Sequence, residues 1–189
     1  MRMPHWLRFA IAANLVLLFS ATIERIAPAD ENALTPALAE TATAAPTPTV
    51  NEARRQAEIL HSSLHSSLRV IHDRYYKEDE GLPIPAAILG EVFREVEAEQ
   101  NVKLRWLAVE GLAMNSDHKP ADEFERKAAA KLKAGEKFYE ITADGVYRRA
   151  APITLSGHCL KCHMPDRKST RDRVAGLVIS IPLAAADGP

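Results

Sequence analysis

The sequence predicts an α+β domain: two helices, a strand, a third helix and three further strands, forming a PAS-like antiparallel sheet with a long N-terminal helix. Two observations carry this. Between residues 51 and 100 the apolar positions recur at three- and four-residue steps. From Val102 onward the apolar runs alternate at spacing two, with one helical stretch between them.

Asn51 reads as an N-cap, and Ala53, Ala57, Leu60, Leu64, Leu68, Ile71 and Tyr75 form one face of a long helix. Gly81 and Pro83 end it. Residues 85–100 are a second amphipathic helix carrying Ile88, Val92, Phe93 and Val96. Residues 102–109 place Val102, Leu104, Trp106 and Ala108 on one side of a half-buried strand. A loop then leads past Pro120 into a short helix that stops at Gly135. Strands over 138–142 and 146–153 flank Ala143-Asp144-Gly145, which suits a hairpin turn, and 174–183 is the last strand. Trp106, Tyr139 and Tyr147 alternate with other strand residues and read as core.

The chain has 189 residues, 47% of them hydrophobic, which is enough for one ordinary core. With 24 basic and 25 acidic side chains the net charge is −1, so no global field recruits nucleic acid or anionic lipid. Arg2 and Arg8 precede an apolar run over 9–21, followed by Glu24 and Arg25, the pattern of an export signal. Extended to Ile23, that run makes a helix of roughly 22 Å, short of the ~30 Å hydrocarbon core, which favours cleavage over a spanning anchor. Residues 1–26 are therefore a signal peptide or N-terminal anchor. Residues 27–50, rich in Ala, Thr and Pro with three acidic and no basic side chains, are a tether. The folded domain is expected over 51–189. These features place it in the periplasm or another extracytoplasmic space, free or held to the membrane through its N-terminus.

Both cysteines stand in Ser156-Gly157-His158-Cys159-Leu160-Lys161-Cys162-His163. Four chemistries use such a segment. A c-type haem takes two thioether bonds from cysteines two residues apart and an iron ligand from the histidine that follows, and both spacing and order match. A redox dithiol normally sits where a strand enters a helix in a βαβ pattern, whereas this segment lies between two strands. Structural zinc needs a fourth ligand, from His158 or the first helix. A small disulfide loop is the plain structural reading. Export favours haem, since covalent attachment is completed outside the cytoplasm. The expectation is one covalent haem c on Cys159 and Cys162, with His163 as proximal ligand.

The stretch from Tyr147 to Arg167, the strand from Arg173 to Leu183 and the loop Ala113-Met114-Asn115-Ser116-Asp117-His118-Lys119-Pro120 with Glu125 resemble a bacterial family of monohaem c-type proteins. That family places its haem on a PAS-like domain, in free periplasmic proteins and in receptor sensor modules. The resemblance spans roughly 51–183 and implies the same roles for Cys159, Cys162 and His163. The loop looks like the family's Asn-Pro-x-Asn-x-Pro-x-x-x-Glu loop, with Asn115, Pro120 and Glu125 at similar places. Two departures stand out. Met164 replaces the usual glycine, and a cysteine that serves one relative as second iron ligand has no counterpart here.

His61, His65 and His72 fall within about 40° of one another around the first helix, bordering its leucine stripe, and are the candidates for the distal ligand. His65 and His61 lie mid-helix and lead. Met114 and His118 are the alternatives, and Met164 is badly placed for the opposite face. Residues 166–173, with four basic and two acidic side chains, read as a solvated loop in preference to a partner for haem propionates. The expected function is electron transfer or another redox role, served by an as yet undefined redox partner. The alternative is a redox or gas sensor acting through a separate signalling protein. No spacing singles out the acid–base group that a peroxidase needs, so an enzyme is not expected.

Overall fold

The computed structural model describes residues 47–163 and 169–184. The export segment, the tether up to residue 46, Met164 and residues 166–168 of the basic loop lie outside the described residues. Helix α1 runs Val50–Arg74, two residues earlier than an Asn51 cap suggests. Thr49 is its cap: the hydroxyl accepts from Glu52 N–H, and the Glu52 carboxylate accepts from Thr49 N–H at 2.8 Å, a reciprocal box that outcompetes the lone asparagine. Helix α2 spans Pro85–Gln100 as expected and stops at Asn101, whose φ of 54° ends the helical path.

Strand β1 (Lys103–Leu107) is shorter than its apolar alternation, because Ala108 N–H goes to the His118 carbonyl at 2.7 Å. Helix α3 (Glu123–Lys133) starts at Asp122, whose carboxylate accepts Glu125 N–H at 2.8 Å. Strands β2 (Tyr139–Ala143) and β3 (Val146–Leu155) join through Asp144 and Gly145, at φ 52° and 70°, a two-residue hairpin turn of the twist-matching kind. The four-residue helix α4 (Leu160–His163) and strand β4 (Arg173–Pro182) complete the order.

The sheet is antiparallel throughout, in the order β1-β4-β3-β2, and the fold is α+β. β3 and β4 pair along their whole length, from Val146 opposite Pro182 to Leu155 opposite Arg173. Period-two alternation buries both faces. Leu177, Ile179 and Ile181 face α1 and α2, packed with Ala53, Ala57 and Phe93. Leu107, Ala150 and Val178 meet Phe124, Ala128 and Leu132, which belong to α3 apart from the sheet residues. Ala53 and Ala57, fully buried, let α1 lie close on the sheet. On the α3 side Gly176 does the same: a Cβ there would sit 3.2 Å from both Leu107 and Leu132. Tyr147 is buried core, as its alternation implies. At the Gly145 end of the sheet, Leu183 N–H bonds the Gly145 carbonyl and Ala184 N–H bonds the Pro48 carbonyl.

Candidate functional site

At the other end of β3, where β2 no longer covers it, a cleft of about 840 Å³ opens between α1, α2, the end of β1, the 110–118 loop and the cysteine segment. That volume lies within the ~300–1,000 Å³ typical of cofactor and ligand sites. Cys159, Cys162 and His163 all line it. The reason is local. Cys159 N–H bonds Ser156 O and His163 N–H bonds Cys159 O, so the segment turns helical, and positions i, i+3 and i+4 share one face. Leu160, on the opposite side, is buried and anchors the turn.

Both cysteines are free thiols. Burial pushes the Cys159 thiol up, which opposes the low-pKa thiolate of a reactive dithiol. Among the described residues no three His, Cys, Asp or Glu side chains are gathered as a metal ion would require. Burial lowers the His163 pKa and favours the neutral imidazole, while a hydrogen bond to the Leu112 backbone works in the opposite direction. A ring nitrogen tied to a carbonyl leaves its partner as a free donor, the arrangement common behind histidine metal ligands.

The three α1 histidines part company. β2 pairs only as far as Ala150, so β3 backbone groups beyond it have no strand neighbour on that edge. His61 donates Nε2–H to the Pro152 carbonyl at 3.0 Å, and His65 Nε2 accepts Thr154 N–H at a long 3.4 Å. They act there as side-chain substitutes for a strand. His65 and His72 line the cleft; His61 does not and faces β3 instead. The His72 ring lies 4.9 Å from Tyr76 and 6.0 Å from His158, another cleft residue. Met114, 59% exposed, and His118 also line the cleft.

Glu125 explains the loop motif. It is 2% exposed, accepts Ala121 N–H at 2.8 Å and pairs with Arg105, whose other amine donates to the Asp117 and Lys119 carbonyls. The Asn115 side chain accepts Asp117 N–H at 3.0 Å. The loop bearing His118 is thus fastened to β1 and α3. On the opposite wall α2 presents Ala86, Ala87 and Gly90, with Arg94 farther along the helix. Trp106 also lines the cleft and bonds the Ala86 carbonyl at 3.0 Å, so it braces that wall as well as packing on the core. Neither the α2 wall nor Leu112 carries a signal in the sequence, since alanine, glycine and a backbone carbonyl have no motif. Of the 166–173 loop, Arg171 pairs with Glu110 at 3.5 Å.

Fold and site together define an α+β domain with a single-ended apolar cleft that collects both cysteines and five histidines. Residues 45–176 match the family model Tll0287-like, described as Tll0287, and the chain belongs to that family. Among solved structures, the cyanobacterial heme-protein Tll0287 is similar at 18% identity, over 72% of this chain and 95% of that one, with a TM-score of 0.46. No curated protein matches this sequence.

Proposed function

We propose that the chain is an exported monohaem c-type cytochrome with a redox role, rather than an enzyme. One observation carries the reading: Cys159, Cys162 and His163 together line a cleft of cofactor volume whose other walls include Ala86, Ala87 and Gly90 of α2 and His65 and His72 of α1. Family membership supports it, because the protein that gives the family its name is a heme-protein. When bound, the haem supplies a one-electron couple. Cys159 and Cys162 would hold it through thioether bonds, and His163 would offer a ring nitrogen to the iron. Ala86, Ala87 and Gly90 leave room for a flat ring, and the fastened 115–119 loop closes one side. His65 would offer the second iron ligand in this reading, since its bond to Thr154 is long and easily exchanged; His72 would be next. His61, committed to Pro152, stays outside.

A redox or gas sensor is the second reading. Its support is that α1 carries His65 into the cleft and also packs on the sheet through Ala53 and Ala57, so a change at His65 bears on the helix that holds the domain together. The chain expressed with a cytochrome c maturation system carries one haem that survives acid-acetone extraction and denaturing electrophoresis. Loss of all haem stain, or its retention in Cys159→Ser, Cys162→Ser, refutes the reading. Export is tested by fractionation, where the protein belongs outside the cytoplasm.

A further inference from the structure

Helix α2 has a glycine in its interior where the protein's own packing asks for none. Gly90 lies within Pro85–Gln100 and has no left-handed backbone angle. Among the described residues, and apart from its own helix backbone, a Cβ built on it would meet nothing nearer than Arg94 Nη1 at 4.0 Å. Glycine weakens a helix interior, and where neither a positive φ nor close packing calls for it, its remaining use is to let something approach the backbone. Gly90 lines the cleft, in one i, i+4 row with Ala86 before it and Arg94 after it. The same 4.0 Å distance puts the far end of the exposed Arg94 side chain back along α2, above Gly90. Among the described residues no carboxylate pairs with that guanidinium, although Glu91 stands one turn away. Two other cations that line the cleft are matched, Arg69 by Asp73 at 3.9 Å and Lys77 by Glu80 at 2.9 Å.

We infer that the Ala86-Gly90-Arg94 row of α2 seats the carboxylate edge of the cleft's ligand: Gly90 leaves the helix backbone bare for a flat ring, and Arg94 pairs with a carboxylate at the ring's rim. The inference rests on the cytochrome reading, which makes that ligand haem. Haem carries two propionates on the side away from the two groups that form thioethers. With Cys159 and Cys162 taking the thioether edge, the propionates belong toward the opposite wall, which is α2. A guanidinium fork matches a carboxylate with two parallel hydrogen bonds, and Arg94 gives up no existing ion pair to make them. A merely solvated arginine accounts for the exposure of Arg94 but not for the glycine beneath it.

The test uses the full-length holoprotein at low ionic strength. Arg94→Gln is expected to shift the propionate bending band in the resonance Raman spectrum and to lower the reduction potential, because a nearby cation disfavours ferric iron. The expected size is about a three- to tenfold change in the ferrous-to-ferric ratio, where tenfold is about 59 mV for one electron. Arg94→Lys keeps the charge without the fork, so its potential should stay near wild type while the band moves part of the way. Arg55→Gln removes an exposed arginine that does not line the cleft and so gives the effect of net charge alone. A wild-type band in Arg94→Gln, or shifts no larger than those of Arg55→Gln, overturns the inference. Should Arg94→Gln fail to accumulate, Arg94→Lys decides, and an unmoved band there overturns it. Gly90→Leu installs a better helix former that covers the bare backbone, and it is expected to lower the haem-to-protein ratio; undiminished loading overturns the part given to Gly90. Haem staining of the wild type separates the two claims. No covalent haem sinks the cytochrome reading and this one with it, whereas bound haem with an unmoved band in Arg94→Gln sinks only the role of α2.

Discussion

Replacing Glu125 isolates what fastens the cleft loop. The carboxylate is 3% exposed as a side chain, accepts Ala121 N–H and pairs with Arg105, which is 31% exposed; Arg148 lies 3.7 Å away. Breaking a buried pair by deleting one partner costs ~3–5 kcal/mol. Here the surviving Arg105 keeps the Asp117 and Lys119 carbonyls and reaches water, so Glu125→Ala belongs at the low end, about 3 kcal/mol. Glu125→Gln keeps an acceptor for Ala121 N–H and loses the charge, for about 1–2 kcal/mol. Each kcal/mol moves the melting midpoint of a domain this size by roughly 2–8 °C. Urea unfolding gives the free energies directly, provided the slope with denaturant is unchanged. A Glu125→Ala variant within about 1 kcal/mol of wild type would refute the claim that this carboxylate holds the loop to β1 and α3.

His65→Ala is expected to make the ferric haem partly high spin and to speed cyanide binding, while His61→Ala leaves the absorption spectrum alone and costs ~1 kcal/mol of stability for the lost bond to Pro152; the opposite pattern would exchange their roles. Gly176→Val forces a side chain between Leu107 and Leu132 and should cost ~1–3 kcal/mol or more by thermal melting, with a neutral result placing α3 farther from the sheet than the structure has it. Burial pushes the Glu140 carboxyl up, but hydrogen bonds from Tyr147, Arg54 and Arg149 outweigh it and hold the group below its ordinary 4.5. A depressed carboxyl stabilises the fold above its unfolded value and loses that contribution as pH falls through the folded one. Wild type should therefore lose stability more steeply than Glu140→Gln below about pH 4.5, and parallel pH profiles would remove Glu140 from the account.

Most of the fold was legible because it rests on periodicity. α2 matches to the residue, and the Asp-Gly turn announces its hairpin. α1 starts two residues before the Asn51 cap suggests although Thr49 and Glu52 stand at capping-box spacing, since Asn51 is a strong cap by itself and nothing local ranks the two. The three histidines show a subtler limit. Helical geometry puts them on one side, but where β2 stops decides that His61 meets an open strand edge while His65 and His72 reach the cleft. Glu125 could be noticed by its place in the loop motif; its tie to Arg105, twenty residues earlier, could not.

The bonds from Leu183 to Gly145 and from Ala184 to Pro48 have an architectural consequence. They set the place where the chain enters the domain beside the place where it leaves, at one end of the ten-residue β3, while the cleft lies at the other end. Ten strand residues span ~30 Å. Anything joined before Pro48 or after Ala184, whether a membrane tether or a further module, therefore attaches at the pole away from the cleft mouth. The domain can be hung from a surface, or spliced into a longer chain, by segments that do not adjoin the cleft.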